Sequence, residues 1–134
     1  MKNGDSRIRL ALDTNRYSDL QRGESDVVAQ LETADEIVLA FVVVAELRGG
    51  FLSGTRAREN EALLRRFLAQ ENVVLLVPDE QTTHHYATLH RQLREQGTPI
   101  PQNDIWLAAL VAQYDLLLYT RDSHFDYLPQ LRRV

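Results

Sequence analysis

The stretch IRLALDTN, residues 8–15, decides the fold class that the sequence predicts. Apolar side chains alternate at Ile8, Leu10 and Leu12, and this period of two is typical of a β-strand. The strand ends at Asp13, an acid that comes directly after the apolar positions. In open α/β sheets, ligands bind beyond the carboxyl ends of the strands, so residue 13 is expected at the edge of the sheet where a site forms.

Further strands and helices alternate along the rest of the chain. We predict β-strands at Ile37–Ala40, Val73–Val77 and Leu116–Thr120, and an edge strand near Leu131–Val134. Apolar residues at helical spacing predict helices at Tyr17–Gly23, Ser25–Ala34, from Val42 to the pair Gly49-Gly50, Arg56–Gln70, Asp79–Gln96 and Ile105–Gln113. This alternation predicts an α/β fold with a mostly parallel sheet of four to five strands, flanked by helices on both faces.

Length and composition fit one folded domain. A chain of 134 residues with 44% hydrophobic and 25% charged residues has an ordinary globular composition, and we expect one domain over residues 1–134. Residues 1–6 are expected to form a flexible leader. The longest apolar run, Ile37–Ala45, is far shorter than the ~20 residues that span a bilayer. We therefore predict a cytoplasmic protein with no membrane segment.

Residue usage excludes several kinds of catalysis. Lys2 is the only lysine beside fourteen arginines, and cysteine is absent. Thiol nucleophiles, disulfides and thiolate metal sites are therefore excluded, as are Schiff-base chemistry and the lysine of a nucleotide-binding P-loop. None of the five serines lies in the G-x-S-x-G motif of serine hydrolases. The functional residue types left in quantity are carboxylates and arginines.

Four acids are predicted to converge at the carboxyl edge of the sheet. Asp13 follows the first strand, and Asp122 follows the fourth. Glu46 lies about one turn into the helix after the second strand, and Asp104 opens the helix that leads into the fourth. Because helices that connect parallel strands begin at this edge, we expect the four side chains to lie close together.

A cluster of carboxylates requires a proton or a cation to neutralise it. Two carboxylates ~5 Å apart repel by about 3 kcal/mol at an effective dielectric near 20, and four acids form several such pairs. Hard oxygen ligands without cysteine or a histidine pair favour Mg²⁺ or Mn²⁺. Such an ion activates water and stabilises the charge that develops on a phosphodiester during displacement. The acids therefore indicate metal-dependent phosphodiester chemistry.

Four short motifs carry a resemblance to a known family. They are LDTN at residues 12–15, AELRG at 45–49, NDIWLAA at 103–109 and TRDSHF at 120–125. In this order, and over essentially the whole chain, they resemble the motifs of PIN-domain ribonucleases. More narrowly, they resemble the VapC-type toxins of type II toxin–antitoxin systems.

The resemblance implies an activity, partners and roles for residues. It implies an endoribonuclease in which the four acids bind Mg²⁺ or Mn²⁺ and carry out catalysis, with Asn15 and Thr120 supporting the site through hydrogen bonds. It also implies a structured RNA substrate such as transfer RNA. A homodimer, held inactive by a small antitoxin protein, is the implied assembly.

Arginines next to the motifs are candidates for RNA contacts. Arg16, Arg48 and Arg121 neighbour the acids, and a guanidinium group binds phosphate oxygens in pairs. Ordinary salt bridging is the alternative explanation for each of them. His124 follows Asp122 by two residues, and we interpret it as a structural or substrate-edge residue rather than as a catalytic base.

Two alternative functions stay open. One is a non-catalytic module of the same fold that binds RNA or protein, in which the acids have structural roles such as a helix cap at Asp104. The other is a phosphatase of the haloacid dehalogenase type, which also places an aspartate after its first strand. That chemistry needs a second acid two residues later and a downstream lysine, whereas this chain has Asn15 there and only Lys2.

Overall fold

Residues 7–134 are described by the structure, which is a computed structural model. The strands are β1 (Arg9–Leu12), β2 (Glu36–Ala40), β3 (Val73–Leu76) and β4 (Leu117–Tyr119). The helices are α1 (Thr14–Gln21), α2 (Ser25–Glu32), α3 (Phe41–Ser53), α4 (Ala57–Leu68), α5 (Glu80–Gln96) and α6 (Gln102–Tyr114), with a short 3-10 helix at Ser123–Tyr127. The leader predicted at residues 1–6 lies outside the described residues.

The four strands form one parallel sheet in the order β3-β2-β1-β4. β1 is central, and Leu10 lies opposite Ile37 of β2 on one side and Leu117 of β4 on the other. The side chains of Leu10, Ala11 and Leu12 are all buried, and successive side chains of a strand point to opposite faces. Both faces of the sheet are therefore covered, and the predicted α/β fold is confirmed.

The order of the strands determines which chain segments meet at the carboxyl edge. Because β1 and β4 are parallel neighbours, the residues that follow them leave the sheet side by side. The backbone N–H of Asp13 donates a hydrogen bond to the carbonyl of Tyr119 at 3.1 Å and holds these two exits together. α3 follows β2 without a loop, so its first turns lie at the same edge.

α6 is a central helix of the packing, as its apolar sequence predicts. Residues 107–111 are all buried, and the helix packs against α5 and α3. Burial of apolar surface contributes about 25 cal/mol per Å², so a helix buried on most sides is strongly fixed in place. Its first turn carries Asp104 at the carboxyl edge. Among the helices of residues 7–134, none is long and apolar enough to cross a membrane.

Several helix boundaries differ from the prediction, and α6 among them begins at Gln102 rather than at Ile105. α1 begins at Thr14 rather than at Tyr17, because the carboxylate of Asp13 accepts a hydrogen bond from the N–H of Thr14 and caps the helix earlier. The predicted stop of α3 at Gly49-Gly50 is wrong, since the helix continues to Ser53. A helical glycine costs about 1 kcal/mol relative to alanine, and Phe51, which packs partly buried against the core, offsets part of that cost.

The edge strand predicted near Leu131–Val134 is also wrong. The tail forms only a single parallel bridge, between Leu118 of β4 and Arg133. The N–H of Leu131 is used in a turn, bonded to the carbonyl of Leu128 at 3.1 Å. This turn bends the segment that leads to the bridge, so no ladder extends along β4.

Candidate functional site

The four predicted acids lie at the carboxyl edge of the sheet, each on a different element. Asp13 caps α1 directly after β1, and Asp122 caps the 3-10 helix after β4. Glu46 lies in the second turn of α3, and Asp104 lies in the first turn of α6. Pro101 is the N-cap of α6, so Asp104 is not the helix cap of the alternative explanation. Electrostatic interactions couple Asp13 to Glu46 and Asp122, and Asp104 to Asp13 and Asp122.

Asp13 is a buried acid with only 5% of its surface exposed. Its Oδ1 accepts a hydrogen bond from the N–H of Thr14 at 2.7 Å, and its Oδ2 accepts one from the hydroxyl of Thr120 at 2.7 Å. Burial raises the pKa of this carboxyl despite both hydrogen bonds, and the charges of Glu46 and Asp122 raise it further. Within residues 7–134, no cationic side chain is among the groups that shift this pKa.

Asp104, Asp122 and His124 form a compact group of donor atoms. One ligand atom from each residue lies within 4.8 Å of the other two. Nδ1 of His124 is 2.9 Å from Oδ2 of Asp104 and 3.0 Å from Oδ1 of Asp122. In the described part of the chain, no other three acids or histidines approach each other this closely, and Asp13 and Glu46 lie outside this trio.

The charges within this trio are coupled. Burial raises the pKa of Asp104, and the neighbouring acids raise it further, whereas the hydrogen bond with His124 acts in the opposite direction. That same hydrogen bond raises the pKa of His124. The raised pKa favours the protonated form of His124, whose charge would lie between the carboxylates of Asp104 and Asp122. The position between these two acids is one that attracts positive charge.

Glu46 is exposed but is held in place from two sides. Its Oε1 accepts a hydrogen bond from the hydroxyl of Thr14 at 2.8 Å, and its Oε2 accepts one from the side-chain amide of Asn103 at 3.1 Å. Thr14 thus contacts two acids, because its backbone N–H bonds to Asp13. Sequence reasoning missed Thr14 and Asn103, although both lie inside the LDTN and NDIWLAA motifs that it singled out.

Asn15 and Thr120 form hydrogen bonds between the segments that follow β1 and β4. The hydroxyl of Thr120 donates to Asp13 and accepts from the N–H of Asp122 at 2.9 Å. The side-chain amide of Asn15 donates to Thr120 Oγ1 at 3.4 Å, and its Oδ1 accepts from the N–H of Arg121 at 3.2 Å. These contacts are of the kind that the resemblance implies for the two residues.

The three candidate arginines all form salt bridges. Arg16 and Arg121 bond to Asp19 on α1, and Arg121 directly precedes an acid of the site. Arg48 donates two hydrogen bonds to Glu61 of α4, at 3.1 and 2.9 Å. Sequence reasoning missed Asp19, because its partner Arg121 lies 102 residues further along the chain. It also left His124 outside the ligand set, and the only available signal was its place two residues after an acid.

The donor set fits a hard divalent cation. The four acids offer carboxylate oxygens, which are the ligands that Mg²⁺ and Mn²⁺ prefer. Burial raises the pKa of both Asp13 and Asp104 because it destabilises their charged forms, which a bound cation would stabilise. The imidazole of His124 adds one nitrogen donor to the oxygen set. The arrangement is therefore suited to chemistry on a phosphodiester assisted by a metal ion.

Comparisons with known proteins agree with this geometry. The family model of the PIN domain matches residues 10–131, a range that contains all four acids. Ribonuclease VapC1 of Haemophilus influenzae is 33% identical over 116 residues, which cover 83% of this chain and 84% of that protein.

Solved structures with this fold include two VapBC proteins. The structure of VapBC-1 from nontypeable Haemophilus influenzae matches with a TM-score of 0.83 at 26% identity, over 95% of this chain and 97% of that chain. VapBC-5 from Mycobacterium tuberculosis, a member of the VapBC family of toxin–antitoxin systems, matches with a TM-score of 0.73 at 26% identity, over 95% and 99%.

Proposed function

The chain belongs to the PIN-domain family and to its VapC ribonucleases, and on this premise we propose that it is a metal-dependent endoribonuclease, the toxin of a toxin–antitoxin pair. One observation carries the proposal: four carboxylates from separate elements lie at one edge of the sheet, two of them with a raised pKa. A purely structural role does not account for this arrangement, since each pair of neighbouring acids destabilises the folded protein.

We propose that Asp13, Glu46, Asp104 and Asp122 hold Mg²⁺ or Mn²⁺ and are the catalytic residues. The chemistry that such an ion supplies is a lower pKa of the attacking water and neutralisation of the charge that develops on the phosphate oxygens. Nδ1 of His124 lies between Asp104 and Asp122, where a proton would offset part of their charge in the absence of the cation.

The surrounding polar groups orient the acids. A carboxylate oxygen accepts about two hydrogen bonds, so the single bonds from Thr14 and Thr120 leave acceptor capacity on both oxygens of Asp13. Thr14 and Asn103 hold one oxygen each of Glu46 and fix an otherwise mobile exposed side chain. Asn15 supports the site through Thr120. Such outer contacts typically change metal affinity or activity by 10- to 100-fold when removed.

We further propose the substrate and the assembly that family membership supports. The substrate is structured RNA such as transfer RNA, and the partners are a cognate antitoxin and a second copy of the chain. The likeness to VapBC-5, a toxin–antitoxin protein, supports the antitoxin. An RNA substrate supports the cytoplasmic location predicted from the sequence.

Incubation of the purified protein with total bacterial RNA tests the proposal. With Mn²⁺ or Mg²⁺ we expect defined new RNA ends, which sequencing will map, and with a chelator in excess we expect none. Intact RNA in both metals would instead favour the non-catalytic module, particularly if the protein still binds RNA. Release of phosphate from small phosphomonoesters without RNA cleavage would favour a phosphatase.

A further inference from the structure

A second cluster of charged residues lies beside the candidate site and is centred on Asp19 of α1. Asp19 is buried, with 4% of its surface exposed. Arg121 donates to it from Nε to Oδ2 at 2.9 Å and from Nη2 to Oδ1 at 3.0 Å. Arg16 donates to Oδ2 at 3.2 Å and lies over the ring of Tyr119, and Arg22 donates to Oδ1. We call Asp19 and these three arginines the Asp19 cluster.

The Asp19 cluster contains more positive charge than its carboxylate requires. One bidentate guanidinium group is enough to neutralise a carboxylate, whereas Asp19 contacts three arginines. The bidentate hydrogen bonding of Arg121 is the main cause that lowers the pKa of Asp19 to about 2, so the carboxylate stays ionised. Glu24, whose carboxylate lies 3.9 Å from Nε of Arg22, offsets part of the excess. Three cations and two anions leave the region formally positive.

The guanidinium groups stay accessible although the acid that holds them is buried. The side chains of Arg121 and Arg22 are 49% and 58% exposed. A guanidinium group has five N–H donors, and Asp19 takes two from Arg121 and one from Arg22. The Nε–Nη2 edge of Arg121 faces Asp19, which leaves its Nη1–Nη2 edge for a second anion.

The Asp19 cluster adjoins the acids of the candidate site through the chain itself. Arg121 stands between Thr120, which bonds to the buried acid after β1, and Asp122. Consecutive Cα atoms are about 3.8 Å apart, so the backbone positions of Arg121 and Asp122 adjoin each other. The N–H of Arg121 bonds to Oδ1 of Asn15, which fixes the backbone at this point. A positive surface thus borders an acidic one.

From this geometry we propose that the Asp19 cluster is a phosphate-binding subsite for the RNA strand, with Asp19 as the residue that positions its arginines. The inference rests on the proposed ribonuclease function. Arg121 and Arg22 bind a backbone phosphate adjacent to the one that is cleaved, and Arg16 supports them from α1. Every nucleotide carries a phosphate, so a strand cut at the acids brings neighbouring phosphates to the cluster. Arginines that are held in place lose less side-chain entropy on binding than free ones.

Steady-state cleavage of total bacterial RNA by the full chain with Mn²⁺ tests this subsite. Maximal rates and half-saturating RNA concentrations are measured for wild type, Arg121→Gln and Arg22→Gln between about 50 and 200 mM salt. Arg132→Gln is the matched control. Its side chain is 58% exposed, like that of Arg22, and it pairs with Asp115, which precedes β4 at the opposite edge of the sheet.

The two cluster variants are expected to lose RNA affinity. Arg121→Gln and Arg22→Gln each raise the half-saturating RNA concentration about tenfold, with a smaller effect on the maximal rate, because a charge-assisted hydrogen bond to phosphate is lost. The salt dependence of that concentration also weakens, by about 0.7 in the logarithmic slope for each lost contact to a single strand. Arg132→Gln leaves both quantities unchanged.

Variants of Asp19 distinguish a role in positioning the arginines from an effect of the net charge of the region. Asp19→Asn makes the region more positive, so a role through net charge alone predicts tighter RNA binding. A positioning role predicts the opposite, a half-saturating concentration raised about tenfold, because the three arginines lose their common acceptor. Asp19→Glu keeps the charge and is expected to restore part of the affinity. Thermal melting of each variant establishes that it is folded under the conditions of the assay.

The inference is wrong if Arg121→Gln and Arg22→Gln, both folded, match Arg132→Gln in half-saturation and in salt dependence. Tighter RNA binding by Asp19→Asn would overturn the positioning role. Failure of the proposed function has a different signature. In that case wild type produces no metal-dependent RNA ends, or Asp104→Asn cleaves at the wild-type rate.

Discussion

Asp13 and Asp19 are two buried aspartates six residues apart, and their environments are opposite. Asp13 is 5% exposed, accepts hydrogen bonds from neutral donors, and has a pKa raised by burial and by nearby acids. Asp19 is 4% exposed, contacts three arginines, and has a pKa lowered to about 2. Among residues 7–134, equal burial therefore accompanies one carboxylate that accepts from neutral donors and one that contacts several arginines. The first is an acid that still requires a cation, and the second already has its own.

Cleavage of RNA gives the largest expected difference between the two regions. Asp13→Asn and Asp104→Asn should each lower the cleavage rate by at least about a hundredfold, because each removes a proposed metal ligand rather than an outer contact. Asp115→Asn serves as the matched control, since Asp115 is exposed at the opposite edge of the sheet. The rate is measured as new RNA ends in Mn²⁺. Wild-type rates for either site variant would contradict the assignment of the acids.

Metal binding gives the next largest effect, and only the acidic region should respond. A ligand at 100 times its Kd adds about 2.7 kcal/mol to the free energy of unfolding, which raises Tm by about 8 °C in a chain of this size. We expect this shift with Mn²⁺ for wild type and for Arg22→Gln, and its loss for Asp104→Asn. Melting curves with and without chelator measure it. An unchanged Tm of wild type at saturating metal would rule out a divalent-ion site.

The same substitution at the two buried aspartates should change stability in different directions when metal is absent. Asp19→Asn should lower Tm by about 5 °C, because it leaves arginines without the acid that they contact. Asp13→Asn should melt no lower than wild type, since it removes a buried charge that its neighbours repel. Melting curves recorded in excess chelator compare the Tm of the two variants. A lower Tm for Asp13→Asn than for Asp19→Asn would contradict the proposed difference between the environments of the two acids.

The pH dependence of stability should separate the two acids more finely. An unfolded aspartate has a pKa of about 3.9. Asp19, with a folded pKa of about 2, stabilises the fold above about pH 4, and this contribution declines as the pH falls towards 2. Asp13 has a raised folded pKa, so its contribution is present below about pH 4 and is lost as the pH rises through that higher value.

The corresponding measurement is the free energy of unfolding of metal-free protein across this pH range. Relative to wild type, Asp19→Asn should flatten the loss of stability on acidification. Asp13→Asn should flatten the loss on raising the pH. Two difference curves with the same slope would show that the environments of the two acids do not differ as the structure describes.

The fold was predictable because its signals are periodic and local. Leu10 and Leu12 before Asp13 and the apolar sequence of α6 correspond to buried positions, although Ile8 at the start of the alternation is exposed. Parallel strands then place the acids that follow them at a common edge, whatever the details of packing. The failures have a related cause. A glycine pair usually ends a helix, but Phe51 beyond the pair packs against the core and the helix continues to Ser53.

The supporting contacts of the site were less predictable, because they join residues far apart in the chain. The hydroxyl of Thr14 reaches Glu46 across 32 residues, and Arg121 reaches Asp19 across 102. On sequence alone, Asp19 resembles an ordinary acid in a short surface helix. Its burial depends on how α1 packs beside the segment after β4, and local composition carries no information about that packing.

The pairing of β1 with β4 also governs the order in which the protein can assemble. The hydrogen bond from Thr120 to Asp13 joins residues 107 positions apart, and a ribosome adds about 5 to 20 residues per second. For several seconds of synthesis, a growing chain therefore contains Asp13 without the strand that completes its surroundings. The acidic site forms only after β4 has left the ribosome, so a nascent chain is not yet a nuclease beside the RNA that encodes it.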